Sequence, residues 1–418
     1  MTQVRGGPAG APTEPGGPVK GFTSIPTPAW AVLFFCAWLT ALLSITTRDV
    51  LPERFSYDGE LVLRVAQGQN PYQVDRSYAN TAAAYRLLGL QNSEELTALF
   101  GCATLLTALI IATTLGTRGS FKLRHLYVAL TFIVLGGVFL TWYNKDVFTL
   151  GVVIVTLLVL KFSPGRWWII VATLAVYAAV FRSYWFLIAA LTAGLIVLAH
   201  RRRDSARRYL VRLFGLAQVF LIIFCVAAPL VIGRSANTFR SDLNANREGA
   251  IDAVTIISPF VGGDSPVNSY INAVLTQISL VIPWPLLMKG SQYAIYAVGI
   301  FALWMTLLIT TVRGWKRLSQ KDRHGVHIGL SVLWAVLTVQ AIFEPDYGSY
   351  LRHLTPMLPL ILAVTLIASR SGDELPGVVE ANDIVLPKST SGNPARTAAA
   401  TPQNVPVEVA DRRVETDE

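Results

Sequence analysis

The stretch "LFGLAQVFLIIFCVAAPLVI", residues 213–232, runs between Arg212 and Arg234 without one charged side chain. A helix of that length rises about 30 Å, which matches the hydrocarbon thickness of a bilayer. Outward from it the pattern repeats. Apolar runs at 28–46, 96–116, 126–142, 147–160, 167–181, 184–200, 292–312, 326–343 and 354–369 complete about ten expected spans. The chain of 418 residues is 53% hydrophobic and 15% charged, with a mean hydropathy of +0.48. Soluble domains carry closer to a quarter charged residues. The fold class expected is therefore all-α, a polytopic transmembrane helical bundle. A soluble α/β enzyme is excluded by the lack of alternating glycine-rich turns and charged amphipathic helices.

Three regions follow from composition. Residues 1–27, rich in Gly and Pro, are expected to be a disordered cytoplasmic N-terminus, and 371–418 a disordered cytoplasmic tail. Residues 28–370 form the transmembrane domain. No signal peptide pattern precedes the first run, so it reads as a retained anchor.

Charge placement orients the spans. Arg118, Lys122 and Arg124, then Lys161 and Arg166, then "HRRRDSARRYLVR" at 200–212 and "RGWKRLSQKDRH" at 313–324 all fall on one side. Basic loops favour the cytoplasm, which puts both termini there. The net charge of +9 is accounted for largely by these loops and is no sign of a nucleic-acid partner. Two long external loops result, 47–95 and 233–291. The segment "YINAVLTQISLVIPWPLLMKG", 270–290, is apolar enough to cross, but crossing would place the basic 313–324 loop outside. It reads as interfacial or re-entrant, broken by Pro283 and Pro285 around Trp284. In loop 47–95 the apolar spacing from Leu61 to Ala66 and from Ala82 to Leu88 suits short amphipathic helices.

Candidate chemistry gathers in the external connections. The short turn "NKD", 144–146, holds Lys145 and Asp146, which also suit simple pairing and capping of the next helix. "FRSYW", 181–185, supplies Arg182 and Tyr184. "GRSANTFRSDLNANRE" supplies Arg234, Arg240 and Arg247. "EPDYGSYLRH", 344–353, holds Asp346, Tyr350, Arg352 and His353. Guanidinium groups bind phosphate in a planar, bidentate way, and ion pairing with Asp242, Glu248, Glu344 and Asp346 is the plainer alternative. Of the five histidines, His353 alone is expected outside, where an imidazole can serve as a general base. Asp49, Glu53, Asp58 and Glu60 cluster after the first span without a metal-binding spacing. Cys36, Cys102 and Cys225 lie in apolar runs and read as core residues. No Walker motif, GxSxG or HExxH occurs, which argues against an ATP-driven pump or a membrane protease.

These segments resemble the bacterial O-antigen and exopolysaccharide polymerases and the related ligases. The resemblance covers roughly 140–370 through short motifs. They are the turn Asn144-Lys145-Asp146, the span start at Arg182, and Gly348, Ser349, Arg352 and His353 in the last external connection. It implies a glycosyltransferase of the bacterial inner membrane that needs no metal or other cofactor. The substrate implied is a glycan on a polyprenyl pyrophosphate, embedded in membrane lipid, and a chain-length regulator is an implied partner. Arg352, His353 and Asp346 would be catalytic. Arg182, Lys145, Arg234, Arg240, Arg247, Tyr184 and Tyr350 would bind substrate. Loop 233–291 is shorter than the largest loop of many such polymerases. A second resemblance is to C-type glycosyltransferases that use polyprenyl-phosphate sugars. There Asp49 or Asp58 would be the base and Gly68, Asn70, Pro71 and Tyr72 the stretch that follows. A transporter of lipid-linked glycan is a third alternative, though such proteins place charge within spans.

Overall fold

A computed structural model of the chain describes residues 33–40, 57–69, 74–116, 121–199, 205–231, 233–245 and 255–370. The expected disordered termini, 1–27 and 371–418, lie outside them. So do Asp49, Glu53, Asn70, Pro71, Tyr72, Arg118, Arg247 and Glu248.

The described residues are helical, and their one β feature is an isolated bridge between Ile256 and Asp346. After a helical segment at 33–40, two short helices come first, α1 (Tyr57–Ala66) and α2 (Arg76–Leu87). They stand where the apolar spacing predicts them. Then follow α3 (Glu94–Thr114), α4 (Leu123–Phe139), α5 (Asp146–Phe162), α6 (Trp168–Val180), α7 (Trp185–Ala199) and α8 (Ala206–Val231). The long connection after α8 folds into α9 (Ala236–Ala245) and α10 (Pro266–Val281). The chain ends its described part with α11 (Ser291–Gly314), α12 (Gln320–Phe343), α13 (Tyr347–Leu354) and α14 (Leu358–Ala368).

Five helical elements are long and apolar enough to cross a membrane: α3, α8, Ser291–Arg317, α12 and the continuous Tyr347–Ala368. Leu123–Phe139, Pro164–Val180 and Trp185–Ala199 are shorter apolar helices. Burial sorts the long ones. In their most apolar stretches 89% of α12 and 83% of Tyr347–Ala368 is buried, against 22% of α8. So α12 and α14 form the centre, with α4, α7 and α11 packed on them, and α8 lies at the rim. Small residues permit the closest approach: a Cβ at Gly314 would meet the carbonyl oxygen of Ala368.

Contacts distinguish two ends of the bundle. At one, Lys161 Nζ donates to Thr114 Oγ1 (2.8 Å), Arg370 pairs with Asp322, and the rings of Tyr209 and Trp315 stack at 5.0 Å. The described parts of the four basic connections meet here, as their shared charge predicts. At the other, the Tyr143 hydroxyl donates to Leu90 O (2.7 Å) and Tyr184 stacks on Phe343 at 5.5 Å.

Residues 270–290, expected to be interfacial or re-entrant, hold a helix and a proline-bounded return. Helix α10 packs on α8 and α12 through a buried polar chain. Gln218 Nε2 donates to Gln277 Oε1, and Gln277 Nε2 donates to Thr338 Oγ1, each at 2.9 Å. Sixteen residues rise only about 24 Å, less than the bilayer core. The helix stops before Pro283, and Trp284 comes back to lie 5.6 Å from Phe260. The following helix then begins at the same end, its Tyr296 hydroxyl donating to Tyr347 O at 2.6 Å.

Candidate functional site

The end that carries Tyr184 and Phe343 also gathers most of the buried charge. It is built from the "NKD" turn upward. Tyr85 of α2 fixes this turn: its hydroxyl contacts Trp142 O at 3.2 Å, Asn144 O at 3.0 Å, and accepts from Asn144 N at 3.0 Å. Tyr85 is itself placed by the helix stop at Gly89 (φ 71°), where Leu90 N returns to Tyr85 O and Gly89 N to Arg86 O. Only a residue tolerant of the left-handed region suits that stop. Asn144 Oδ1 accepts from Asp146 N at 3.0 Å, which starts α5 with Asp146 in its first turn. A carboxylate is favoured there by the helix dipole.

Asp146 is fully buried and faces two arginines. Arg182 Nη1 lies 2.9 Å from Oδ1, and Arg352 Nε lies 3.4 Å from Oδ2. Arg352 Nη1 in turn pairs with Asp58 of α1, whose other oxygen accepts from the Tyr78 hydroxyl at 2.8 Å. Lys145 Nζ sits 4.1 Å above the Tyr78 ring and 3.4 Å from Ser77 Oγ. Helix α1 reaches this position because Gly59 has no side chain, and a Cβ there would collide with the Trp142 ring. Three cations thus face two carboxylates across five elements.

The electrostatics follow from this crowding. Burial alone would raise the Asp58 carboxyl, but Arg352 and Lys145 overcome it and hold it well below the usual range. Burial lowers Lys145 to about 8, with Arg182 adding to the shift and Asp58 opposing it. Burial would also lower Arg182, and Asp146 reverses that, leaving the guanidinium firmly cationic. Burial, with the Asp58 charge next, raises the Tyr78 phenol.

Beside this network His353 Nδ1 lies 2.8 Å from Glu344 Oε2. Exposure separates the roles open to these side chains. Arg352 is 19% and His353 14% accessible, whereas Arg182 is 5% and Asp146 0%. A ligand can touch Arg352, His353 and the half-buried Lys145, while Arg182 lies beneath and holds Asp146.

The structure brings together Lys145, Asp146, Arg182, Arg352 and His353, with Asp58 and Tyr184 adjacent, but not Asp346, Arg234, Tyr350 or Arg240, and Arg247 lies outside the described residues. Asp346 caps α13, its Oδ1 accepting from Ser349 N at 2.7 Å. Arg234 pairs with Asp242 at 2.9 Å on an exposed surface. Tyr350 is buried, its hydroxyl accepting from Trp304 Nε1 at 2.9 Å. Arg240 turns into the bundle, where it donates to Thr276 Oγ1 (2.6 Å) and to the carbonyls of Ala341 and Ile342. Burial lowers Arg240 to about 10, partly offset by Glu344, so it stays charged at neutral pH. Residues given no leading role by sequence reasoning are Asp146 as the hub, Tyr78, and Glu344 as the histidine's partner. Asp58, named among the acids after the first span and as the candidate base of the C-type resemblance, sits in the same cluster. Among the described residues no group of three or more His, Cys, Asp or Glu could hold a metal ion.

No family model matches the chain, and no curated protein or solved structure is significantly similar to it.

Proposed function

We propose that the chain is an integral membrane glycosyltransferase that lengthens a glycan carried on a polyprenyl pyrophosphate. In this reading about ten segments cross the bacterial inner membrane, both termini are cytoplasmic, and the charge cluster opens to the external face. The observation that carries it is the convergence of Lys145, Arg182, Arg352 and His353, from three separate connections, at one end of the bundle. A lipid carrier presents its diphosphate at the membrane surface with its tail in lipid, and Arg352 and Lys145 suit that headgroup.

The reaction would run as follows. The acceptor hydroxyl oxygen bonds to the anomeric carbon of the donor glycan. The bond from that carbon to the phosphate oxygen breaks, and its electron pair leaves with the polyprenyl pyrophosphate. The hydroxyl proton passes to His353. Arg352 and Lys145 stabilise the charge that grows on the leaving group, an electrostatic contribution of the oxyanion-hole kind. Arg182 acts through Asp146 to aim Arg352.

The C-type reading keeps one specific support. Asp58, its candidate base, contacts Arg352 within the same cluster. The two readings differ in the leaving group. Purified protein in proteoliposomes, given a lipid-linked oligosaccharide, is expected to release polyprenyl pyrophosphate together with longer glycan. Release of polyprenyl monophosphate from a lipid-phosphate sugar would favour the C-type reading. Full activity in both Arg352→Ala and His353→Ala would remove the site as drawn.

A further inference from the structure

We infer that Glu344 is the positioning residue for His353, fixing its proton on Nδ1 and leaving Nε2 as the atom that meets an acceptor hydroxyl. This deepens the reading above and rests on it for the identity of the hydroxyl.

The pairing itself stands on geometry. Glu344 Oε2 lies 2.8 Å from His353 Nδ1, and the Glu344 side chain is only 2% exposed. A carboxylate can only accept, while a neutral imidazole carries a single N–H. The contact therefore selects the Nδ1–H tautomer and leaves a lone pair on Nε2. That atom is buried without a hydrogen-bond partner among the described residues, in a side chain that remains 14% exposed. An unpartnered acceptor nitrogen beside the cluster is the ring atom left to accept a hydrogen bond from a hydroxyl.

Both partners are held from outside the pair. Glu344 caps the C-terminal end of α12, its N–H donating to Gln340 O at 2.8 Å. The carbonyl of Ala341 would ordinarily accept from residue 345, but that residue is Pro345 and has no N–H. Arg240 supplies the missing donor and also reaches Ile342 O. Further on, the carbonyl of Pro345 accepts from Ile257 N at 2.9 Å. On the histidine side, Asp346 caps α13 and so sets the direction of His353. Asp346 is thereby committed to the cap, and Glu344 is the acid that meets the imidazole. The charges acting on His353 come from Arg182, Asp146, Arg352 and Lys145. Those facing Glu344 include Arg240, with Tyr184, Tyr296 and Tyr350 around it.

The test is tautomer-resolved NMR of the full chain labelled with 15N-histidine, with His353→Asn to assign the resonance. Wild type is expected to give a neutral His353 protonated on Nδ1. Glu344→Ala is expected to shift it to the Nε2–H form or to a mixture. Glu344→Gln is expected to preserve the wild-type tautomer, because its carbonyl still accepts. Unchanged His125 and His327 resonances report that the variants are folded. A His353 resonance in Glu344→Ala identical to wild type would overturn the inference. In the transfer assay, kcat should fall on the order of 10²-fold in Glu344→Ala, with KM for the lipid-linked donor unchanged and partial rescue by Glu344→Gln. An unaltered kcat in Glu344→Ala would also overturn it. If wild type transfers no sugar, the proposed function fails alone, and the tautomer measurement still decides the pairing.

Discussion

Asp58 and Arg352, 294 positions apart in the chain, form an ion pair, and Arg352 also lies 3.4 Å from Asp146. One guanidinium thus ties helix α1 to the start of α5 and to α13. The consequence for stability is measurable by a double-mutant cycle on Asp58→Ala and Arg352→Ala. Both side chains are partly solvated, at 24% and 19%, so a coupling of about 1–2 kcal/mol is expected, below the 3–5 kcal/mol of fully buried pairs. Thermal unfolding in detergent would read it, and additive single effects would show that the pair does not hold α1 in place.

Arg182 and Asp146 should behave differently because neither sees solvent. Arg182→Met strands the Asp146 carboxylate on that side and should cost about 3–5 kcal/mol. The double variant Arg182→Met/Asp146→Leu should recover most of that stability while losing transfer activity. Arg182→Lys should not restore wild-type behaviour, since an ammonium lacks the planar fork. A double variant as unstable as the single one would contradict the pairing.

Two titrations both raise stability with pH, one in the acid range and one in the alkaline range. Asp58 is held below its usual value of about 4. Its contribution is complete above that pH and is lost as pH falls through the folded value. Asp58→Asn should therefore flatten the acid limb of Tm against pH. Lys145 is lowered from 10.5 to about 8. Between those values the unfolded chain holds a proton that the folded chain has released, so this contribution rises with pH across the window. Lys145→Met should remove that rise; a wild-type slope in the variant would argue against the shift.

Side-specific labelling tests the path of α10. In a background with Cys36, Cys102 and Cys225 replaced, Ser265→Cys and Lys289→Cys should react with an impermeant thiol reagent from one side. Arg317→Cys should react only from the other. All three positions are exposed. Reaction of Lys289→Cys from the Arg317 side would mean that 266–281 crosses the bilayer.

The helical class was legible because lipid imposes it, but five helices, not the expected ten or so, are long and apolar enough to cross among the described residues. Apolar run length marks the long helices, and the basic connections fall at one end, as the rule that basic loops share a side of the membrane predicts. The proline pair at 283 and 285 announced a break that Gln218, Gln277 and Thr338 complete. The site was less legible. Lys145, Arg182, Arg352 and His353 could be singled out because charge beside an apolar run is conspicuous. Their partners could not, because nothing in local spacing tells that Asp58 lies beside Arg352 or that Asp146 faces two arginines. Two rival readings of the sequence, one built on Asp58 and the other on Arg352, describe opposite halves of one cluster. Asp346 carried a local signal of a different kind: an Asp three residues before Ser349 at a helix start is a cap. Arg240 was conspicuous as a candidate phosphate ligand, but nothing in its polar loop sequence tells that it turns inward to the carbonyls of Ala341 and Ile342.

That arginine changes how the end of α12 should be regarded. Pro345 leaves a hole in the hydrogen-bond ladder, and a side chain from α9, about a hundred residues earlier, fills it. The terminus that carries Glu344 is therefore completed by a distant part of the sequence, through an arginine that touches neither the histidine nor the arginine pair.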